Sequence, residues 1–268
     1  MRKKLLFISI IIFFIPGCTE MIDVDLDESS VKLVVDGYIT NRYANHTIQL
    51  TRTGPYFSNV PPERVSDAVV TVHDSIHTYT FSELLPGVYF SDEAFAGITG
   101  RIYNLSIELE GEFYSASSIM PQVPVIDSIQ FHLNSEDEEK FDIALFAREP
   151  PTPGDHYFWA VYKEYILVTD KIIQLVFAND DLINGNYFNG ILVQYVKGRL
   201  GNLITLEMAS ITEEYYEFCL AVIKETVYVD VPFESAPAVI NGNIDNGALG
   251  FFTAYAVASK TRQIKLTE

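Results

Sequence analysis

The sequence is short of basic residues and of long hydrophobic runs. It carries 18 Lys and Arg against 36 Asp and Glu, a formal net charge of −18 at pH 7. A surface this acidic repels phosphate backbones, so nucleic acid is excluded as an expected partner. Beyond the first 17 residues no apolar run approaches the roughly 20 residues that a membrane-spanning helix needs. With 48% hydrophobic residues, the chain is nevertheless rich enough to bury a sizeable core.

The motifs that usually mark catalysis are also missing. The sequence contains no G-x-S-x-G elbow, no G-x-G-x-x-G or phosphate loop, and no H-E-x-x-H metal motif. We therefore expect a non-enzymatic protein with no catalytic residues and no cofactor. A hydrolase that uses an unmarked pair of carboxylates is the less favoured alternative, because no pair stands out among the many Asp and Glu.

The amino terminus has the pattern of a bacterial lipoprotein. Arg2–Lys4 is positively charged, Leu5–Ile15 is apolar but too short to span a bilayer, and Gly17-Cys18 resembles a lipobox. We predict that residues 1–17 are a signal peptide and that Cys18 is lipidated. Lipidation leaves Cys219 as the one remaining cysteine, so no intrachain disulfide is expected. The helical, apolar context of Cys219 predicts a buried, inert thiol.

Residues 18–30 are predicted to be an acidic tether behind the lipid. Thr19, in place of the Asp that retains proteobacterial lipoproteins at the inner membrane, favours the outer membrane. The acidic run that follows resembles the tether that sends many Bacteroidetes lipoproteins to the cell surface. A plain solvated linker is an equally good interpretation, so the periplasmic face stays open as an alternative.

The rest of the chain is predicted to be mainly β. Short alternating segments, such as Tyr103–Leu109, recur between turn signals over residues 31–121. This spacing predicts an N-terminal antiparallel sandwich, Ig-like or carboxypeptidase-regulatory-like. Pro121 and Pro124 predict a boundary, and residues 125–268 a second β-rich domain. This second domain should contain one clear helix near 212–224, where Ser210–Glu213 fits a capping box.

Three aromatic residues are the candidate ligand or partner contacts. Trp159 belongs to an aromatic strand, where alternation puts Tyr157, Trp159 and Val161 on one face. That face could be a stacking platform, although core packing is the commoner use of such residues. Tyr187 and Phe188 belong to the stretch 179–190, which is rich in Asn, Asp and Gly and is predicted to be a loop; there they suit partner contact, unless they fold back into the core.

Metal ligation is weighed at three places, and no metal site is predicted. His73 and His77 could face each other across a hairpin, with Asp74 nearby, in a manner that zinc uses. Calcium could be held by the carboxylates of 23–27, or by those of 179–181 together with the amides of 184–186. Exposed histidines and solvated turns are the commoner explanation of these patterns.

Several stretches in a fixed order resemble the Bacteroidetes outer-membrane lipoprotein family catalogued as domain of unknown function 4249. The stretches are Leu33–Thr40, Val65–Val72, Pro86–Tyr89, Gly100–Leu105, Pro124–Ile129, Glu214–Tyr216 and Asn243–Phe252. The resemblance implies a role in uptake beside a TonB-dependent outer-membrane receptor. It implies no catalytic residues.

The sequence thus favours a lipid-anchored accessory or ligand-binding partner of a TonB-dependent receptor in nutrient uptake. The ligand is expected to be a small molecule of unknown identity. A surface structural or adhesion module is the alternative from another class, and the unmarked hydrolase ranks third.

Overall fold

A computed structural model describes residues 31–54, 60–226 and 240–265. The predicted signal peptide, Cys18 and the acidic tether lie outside the described residues. Within the described ranges, no helix is long and apolar enough to cross a membrane.

The described part of the chain is mainly β, as predicted, with one α-helix, α1 (Glu213–Thr226), and a 3₁₀ turn at Ile172–Gln174. The strands are β1 (Leu33–Thr40), β2 (Thr47–Arg52), β3 (Val69–His73), β4 (Thr78–Leu85), β5 (Val88–Ser91), β6 (Ile102–Leu109), β7 (Glu112–Ile119), β8 (Ile126–Leu133), β9 (Lys140–Arg148), β10 (His156–Lys163), β11 (Ile166–Leu167), β12 (Val176–Asn179), β13 (Tyr187–Lys197), β14 (Leu203–Ile211) and β15 (Leu249–Gln263).

The strands form one large and one small sheet. The large sheet has the order β11-β10-β14-β15-β1-β2-β5-β4-β3-β6-β7, with β12 paired to β10, and the small sheet has the order β13-β9-β8. Neighbouring strands of the large sheet are antiparallel, except that β1 and β15 run parallel to each other. Since β15 comes from the carboxyl-terminal part of the chain, it joins the strands of both predicted domains into one sheet.

Two hydrophobic clusters fill this sandwich-like arrangement. The large sheet curls so that β7 at its edge packs against β15. The first cluster fills the space that the curled sheet encloses. Strand β6 illustrates the cause, because its residues alternate exposed and buried along its whole length. The second cluster lies between the small sheet and β10 and β14, whose inner side chains include Tyr157, Trp159 and Met208.

The predicted domain boundary at 121–125 stays a prediction. The first cluster draws mainly on strands before this point and the second on strands after it. By its contacts, however, the chain from Val31 onward groups as one compact unit. The parallel β1–β15 pairing is the physical reason, since it ties the two portions together through backbone hydrogen bonds.

Helix α1 is confirmed, but its amino-terminal cap differs from the prediction. The helix covers Glu213–Thr226, and Thr212 rather than Ser210 accepts the capping hydrogen bond, from the Tyr215 N–H at 3.3 Å. Ser210 is instead a buried residue of β14. Cys219 is buried on the inner face of α1, as expected, and burial raises the pKa of its thiol to about 12, so the thiol is protonated and unreactive.

Candidate functional site

Two of the three aromatic residues singled out from sequence belong to the second hydrophobic cluster. Trp159 is buried, facing the small sheet, so the stacking platform is wrong and core packing is the outcome. Phe188 is 1% exposed. The expectation that it is displayed on a loop is also wrong, because 187–197 forms β13 and pairs with β9. Strand alternation turns Phe188 inward and leaves its neighbour outside.

Tyr187 is that neighbour, and it is 40% exposed. Its hydroxyl donates a hydrogen bond to Asp127 Oδ2 at 2.9 Å. The guanidinium of Arg148 lies over its ring, 5.4 Å from the centroid. Of the three candidates, Tyr187 alone presents its side chain to a partner, and its role in contact stays a prediction.

An acidic cluster forms where three strands end. Glu149 directly follows β9, Asp155 directly precedes β10, and Asp180 directly follows β12. The antiparallel pairing that sets His156 opposite Asn179 brings Asp155 and Asp180 together. One oxygen of each of the three carboxylates lies within 4.8 Å of the others. The acidic cluster is thus a product of strand pairing rather than of sequence proximity.

Hydrogen bonds hold these carboxylates in place. The Gly154 N–H donates to both carboxylate oxygens of Asp180, at 3.1 and 3.0 Å. The Asp180 N–H donates to the Asp155 carbonyl oxygen at 3.0 Å. The Tyr157 hydroxyl donates to Glu149 Oε1 at 3.0 Å. The second oxygen of Glu149, Oε2, is buried and has no hydrogen-bond partner among the described residues.

The electrostatics of the acidic cluster disfavour three negative charges. Burial, opposed by the hydrogen bond from Tyr157 and assisted by the charges of Asp155 and Asp180, raises the pKa of Glu149 to about 7. The pKa of Asp155 is raised by burial and by Asp180. Such a group of oxygens can hold a proton or a cation, because either one relieves the repulsion.

A second feature is a pocket, here called the tyrosine pocket, on β10, β14, β15 and β1. It lies on the face of these strands that points away from the first and second hydrophobic clusters. It has a volume of about 200 Å³. Its polar lining includes Tyr38, Arg42, Asn45, Tyr162, Glu207 and Tyr255. The rings of Tyr38 and Tyr255 lie side by side, with centroids 5.6 Å apart. Strands that are distant in sequence therefore present aromatic faces and hydroxyl groups to one cavity.

An ion pair lies in the tyrosine pocket. The Arg42 guanidinium donates a hydrogen bond to Glu207 Oε2. Burial raises the pKa of Glu207, and the charge and hydrogen bond of Arg42 oppose that rise. About half of the Arg42 side chain is exposed, whereas Glu207 is buried. Arg42 can therefore offer its remaining N–H donors to a ligand while it keeps Glu207 paired.

The turn after β1 holds Arg42 in position. Asn41 donates its side-chain N–H to the Val257 carbonyl oxygen at 3.2 Å, and Asn41 Oδ1 accepts from the Val257 N–H at 2.9 Å. These two bonds continue the β1–β15 pairing with a side chain in place of a backbone. They fix the adjacent Arg42 at the mouth of the pocket.

The family model described as Domain of unknown function (DUF4249) matches residues 19–261. The match spans most of the chain, from the residue after Cys18 to within β15. The chain belongs to the DUF4249 family. The resemblance inferred from the ordered stretches is thereby confirmed. No curated protein matches the sequence.

In this DUF4249 chain, sequence analysis missed most of both sites. Asp180 lies in a stretch that was weighed as a calcium loop, but nothing in the sequence links it to Glu149 or Asp155. Tyr162 lies on the face of β10 opposite Trp159, as the predicted alternation along that strand implies. Asp155 directly precedes β10 and Asp180 directly follows β12. Knowledge that these two strands pair would have brought the two Asp residues together and pointed to the acidic cluster.

Proposed function

We propose that this chain is an outer-membrane lipoprotein, anchored through Cys18, that serves a TonB-dependent receptor as a non-enzymatic, ligand-binding accessory. The observation that carries the ligand-binding part is the tyrosine pocket. Concave sites with aromatic walls and a few convergent polar groups are the usual form of a small-molecule site. The anchor and the receptor are supported by the lipobox and by the family resemblance.

The ligand that suits the tyrosine pocket is small and polyhydroxylated, such as a single sugar ring. Tyrosine rings offer flat faces on which the C–H side of a sugar can stack. Arg42 provides donors and the tyrosine hydroxyls both donate and accept, which matches the hydroxyl groups of a sugar. The volume of about 200 Å³ is below the roughly 300–1,000 Å³ of drug-sized sites, so one ring is the expected occupant.

The pocket is tested by measuring binding of monosaccharides to the full-length protein in mild detergent, with amino acids and dipeptides as the comparison set. Tyr38→Ala should lower the affinity at least tenfold, because Tyr38 is 43% exposed and supplies one wall. Tyr43→Ala is the matched control, since Tyr43 is 79% exposed and lies outside the lining. Binding of peptides instead would change the ligand class, and an absence of any binding would remove the pocket from the proposal.

The anchor is tested by metabolic labelling with a fatty-acid analogue. The wild-type chain should take up label, and Cys18→Ala should not. Cys219→Ala is the control, because it removes the buried thiol and leaves the lipobox intact. Undiminished label in Cys18→Ala would refute the anchor.

The structural or adhesion module is the rival proposal. It shares the anchor but needs neither a ligand nor a receptor. Cell attachment that is lost when the chain is deleted, with nutrient uptake unchanged, would favour it.

A further inference from the structure

We propose that the acidic cluster of Glu149, Asp155 and Asp180 binds one Ca²⁺ ion. This site is separate from the tyrosine pocket and does not depend on the receptor. Its members lie at the ends of β9, β10 and β12, so an ion there would tie the small sheet to the edge of the large one.

The spacing of the three carboxylates suits calcium. Ca²⁺ holds oxygen ligands at about 2.3–2.6 Å, so two oxygens on opposite sides of the ion are about 4.6–5.2 Å apart. The oxygens of the acidic cluster lie within 4.8 Å of one another. Mg²⁺, with ligands at about 2.0–2.1 Å, also fits within this upper bound, but it demands a near-ideal octahedron and usually keeps several waters, so a buried set of protein oxygens favours Ca²⁺.

Glu149 supplies an independent sign of a missing partner. Glu149 is 1% exposed, yet its Oε2 makes no hydrogen bond to any residue that the structure describes. A buried carboxylate oxygen without a partner costs free energy, because it has lost water and gained nothing in return. Because one oxygen of Glu149 lies close to an oxygen of each of the other two carboxylates, a cation bound in the acidic cluster would give this buried side chain the partner it lacks.

The adjoining turn offers a further oxygen of the right kind. Asn184 lies one helical turn beyond Asp180 and donates its N–H to the Asp180 carbonyl oxygen at 2.8 Å. Its own side-chain oxygen, Oδ1, is buried and has no hydrogen-bond partner within the described ranges. Carboxylates combined with amide oxygens are the ligand set that calcium prefers in proteins.

In the part of the chain that the structure describes, no Lys or Arg forms an ion pair with any of the three carboxylates, and His156 is the one basic side chain that acts on Asp155. Among the described residues, the interactions that shift the pKa of Glu149 come from burial, from Tyr157 and from the other two carboxylates, with no contribution from Lys or Arg. Two buried carboxylates and a half-buried one that lie this close together, with no described Lys or Arg paired to them, are neutralised by protons or by a metal ion. Neutralisation by protons and neutralisation by a metal ion can be told apart by adding Ca²⁺ to the metal-free protein.

The experiment uses the full-length protein in mild detergent, treated with chelator and then dialysed. Calorimetric titration with CaCl₂ should give one site, and thermal unfolding should shift to higher temperature with each decade of Ca²⁺. Tb³⁺, a Ca²⁺ substitute, should luminesce when excited through Tyr157, whose hydroxyl contacts Glu149 at 3.0 Å. MgCl₂ should bind at least tenfold more weakly.

The variants locate the site. Asp155→Asn and Glu149→Gln should each weaken Ca²⁺ binding at least tenfold, and both keep the size of the side chain. Asp181→Asn is the matched control, because Asp181 is an exposed neighbour in the same loop whose carboxylate accepts a hydrogen bond from Asn179. In chelator, Glu149→Gln should melt no lower than wild type, since it removes a buried charge.

Two results would overturn the proposal. Suppose that CaCl₂ gives no heat of binding and no rise in melting temperature, and that Tb³⁺ gives no luminescence excited through Tyr157. Protons alone then neutralise the acidic cluster. If Ca²⁺ binds but Asp155→Asn and Glu149→Gln bind it as tightly as wild type, the ion is held elsewhere. A variant that fails to fold leaves the comparison to the other variant, which tests the same three-carboxylate site.

Discussion

The burial of Phe188 makes a quantitative prediction about stability. Replacing it with Ala removes a ring that is 1% exposed and packed in the second hydrophobic cluster. Truncation of a buried Phe costs about 3–5 kcal/mol, because the transfer free energy is lost and a cavity remains. We expect Phe188→Ala to lose that amount and to stay folded unless the wild type lies at the bottom of the usual stability range of about 5–15 kcal/mol.

Tyr187→Ala is the natural control for this substitution, since the two residues are adjacent on β13. The Tyr187→Ala variant loses the hydrogen bond to Asp127 and the cation–π contact with Arg148, both at the surface. Together these are worth about 1–2 kcal/mol. The predicted difference between the two variants is therefore about 1–4 kcal/mol, with Phe188→Ala the less stable.

The assay is unfolding in urea, followed by fluorescence of the single tryptophan, Trp159, which is buried in the same cluster. With an m-value of roughly 2–3 kcal/mol/M, Phe188→Ala should lower the midpoint by about 1–2.5 M. A loss below about 1 kcal/mol would refute the assignment of Phe188 to the core. Phe188 would then be free to contact a partner, as the sequence alone suggested.

Three further predictions concern the backbone and pH. Gly250→Ala should prevent folding, measured by near-ultraviolet circular dichroism, because its φ is +90° and a Cβ would lie 1.9 Å from a carbonyl oxygen of β1. Gly247→Ala, with φ +74° and open space, should cost only about 1–2 kcal/mol. His46 has a pKa lowered by burial, so the unfolded chain binds more protons; stability should fall as the pH drops below about 6.5, and His46→Gln should flatten that slope. Asp74→Asn should cost about 1.5–3 kcal/mol at pH 7, because Asp74 is buried and accepts a 2.7 Å hydrogen bond from Arg101. Burial opposes the lowered pKa of this carboxyl, but hydrogen bonds and Arg101 outweigh it, so this stabilisation should be lost as the pH falls below about 3.8, a loss visible as a flatter acid limb in the variant.

Local patterns predicted much of the fold. The alternation of Tyr103–Leu109 produced β6 with one face buried. The helical spacing after Thr212 produced α1, because apolar residues at that period make a stripe that packs on a sheet. The two faces of β10 were also predicted, since side chains alternate on any strand.

Long-range pairing is what the sequence did not reveal. The parallel partnership of β1 with β15 joins residues more than 200 positions apart, as in Val35 opposite Gly250. The tyrosine pocket depends on that pairing, because Tyr38 and Tyr255 meet only across it. Phe188 was misplaced for a related reason: its polar neighbours suggested a loop, but pairing with β9 made the stretch a strand.

The receptor partnership is the central claim, and co-purification tests it most directly. The affinity-tagged full-length chain should be isolated from membranes of its own host in mild detergent, and the associated proteins quantified by mass spectrometry. The account predicts one TonB-dependent outer-membrane receptor in near-stoichiometric amount with the wild type, and much less with Cys18→Ala, because the lipid anchor raises the local concentration of the partner. Recovery of no such receptor with the wild type would contradict the claim and would place the structural or adhesion module first.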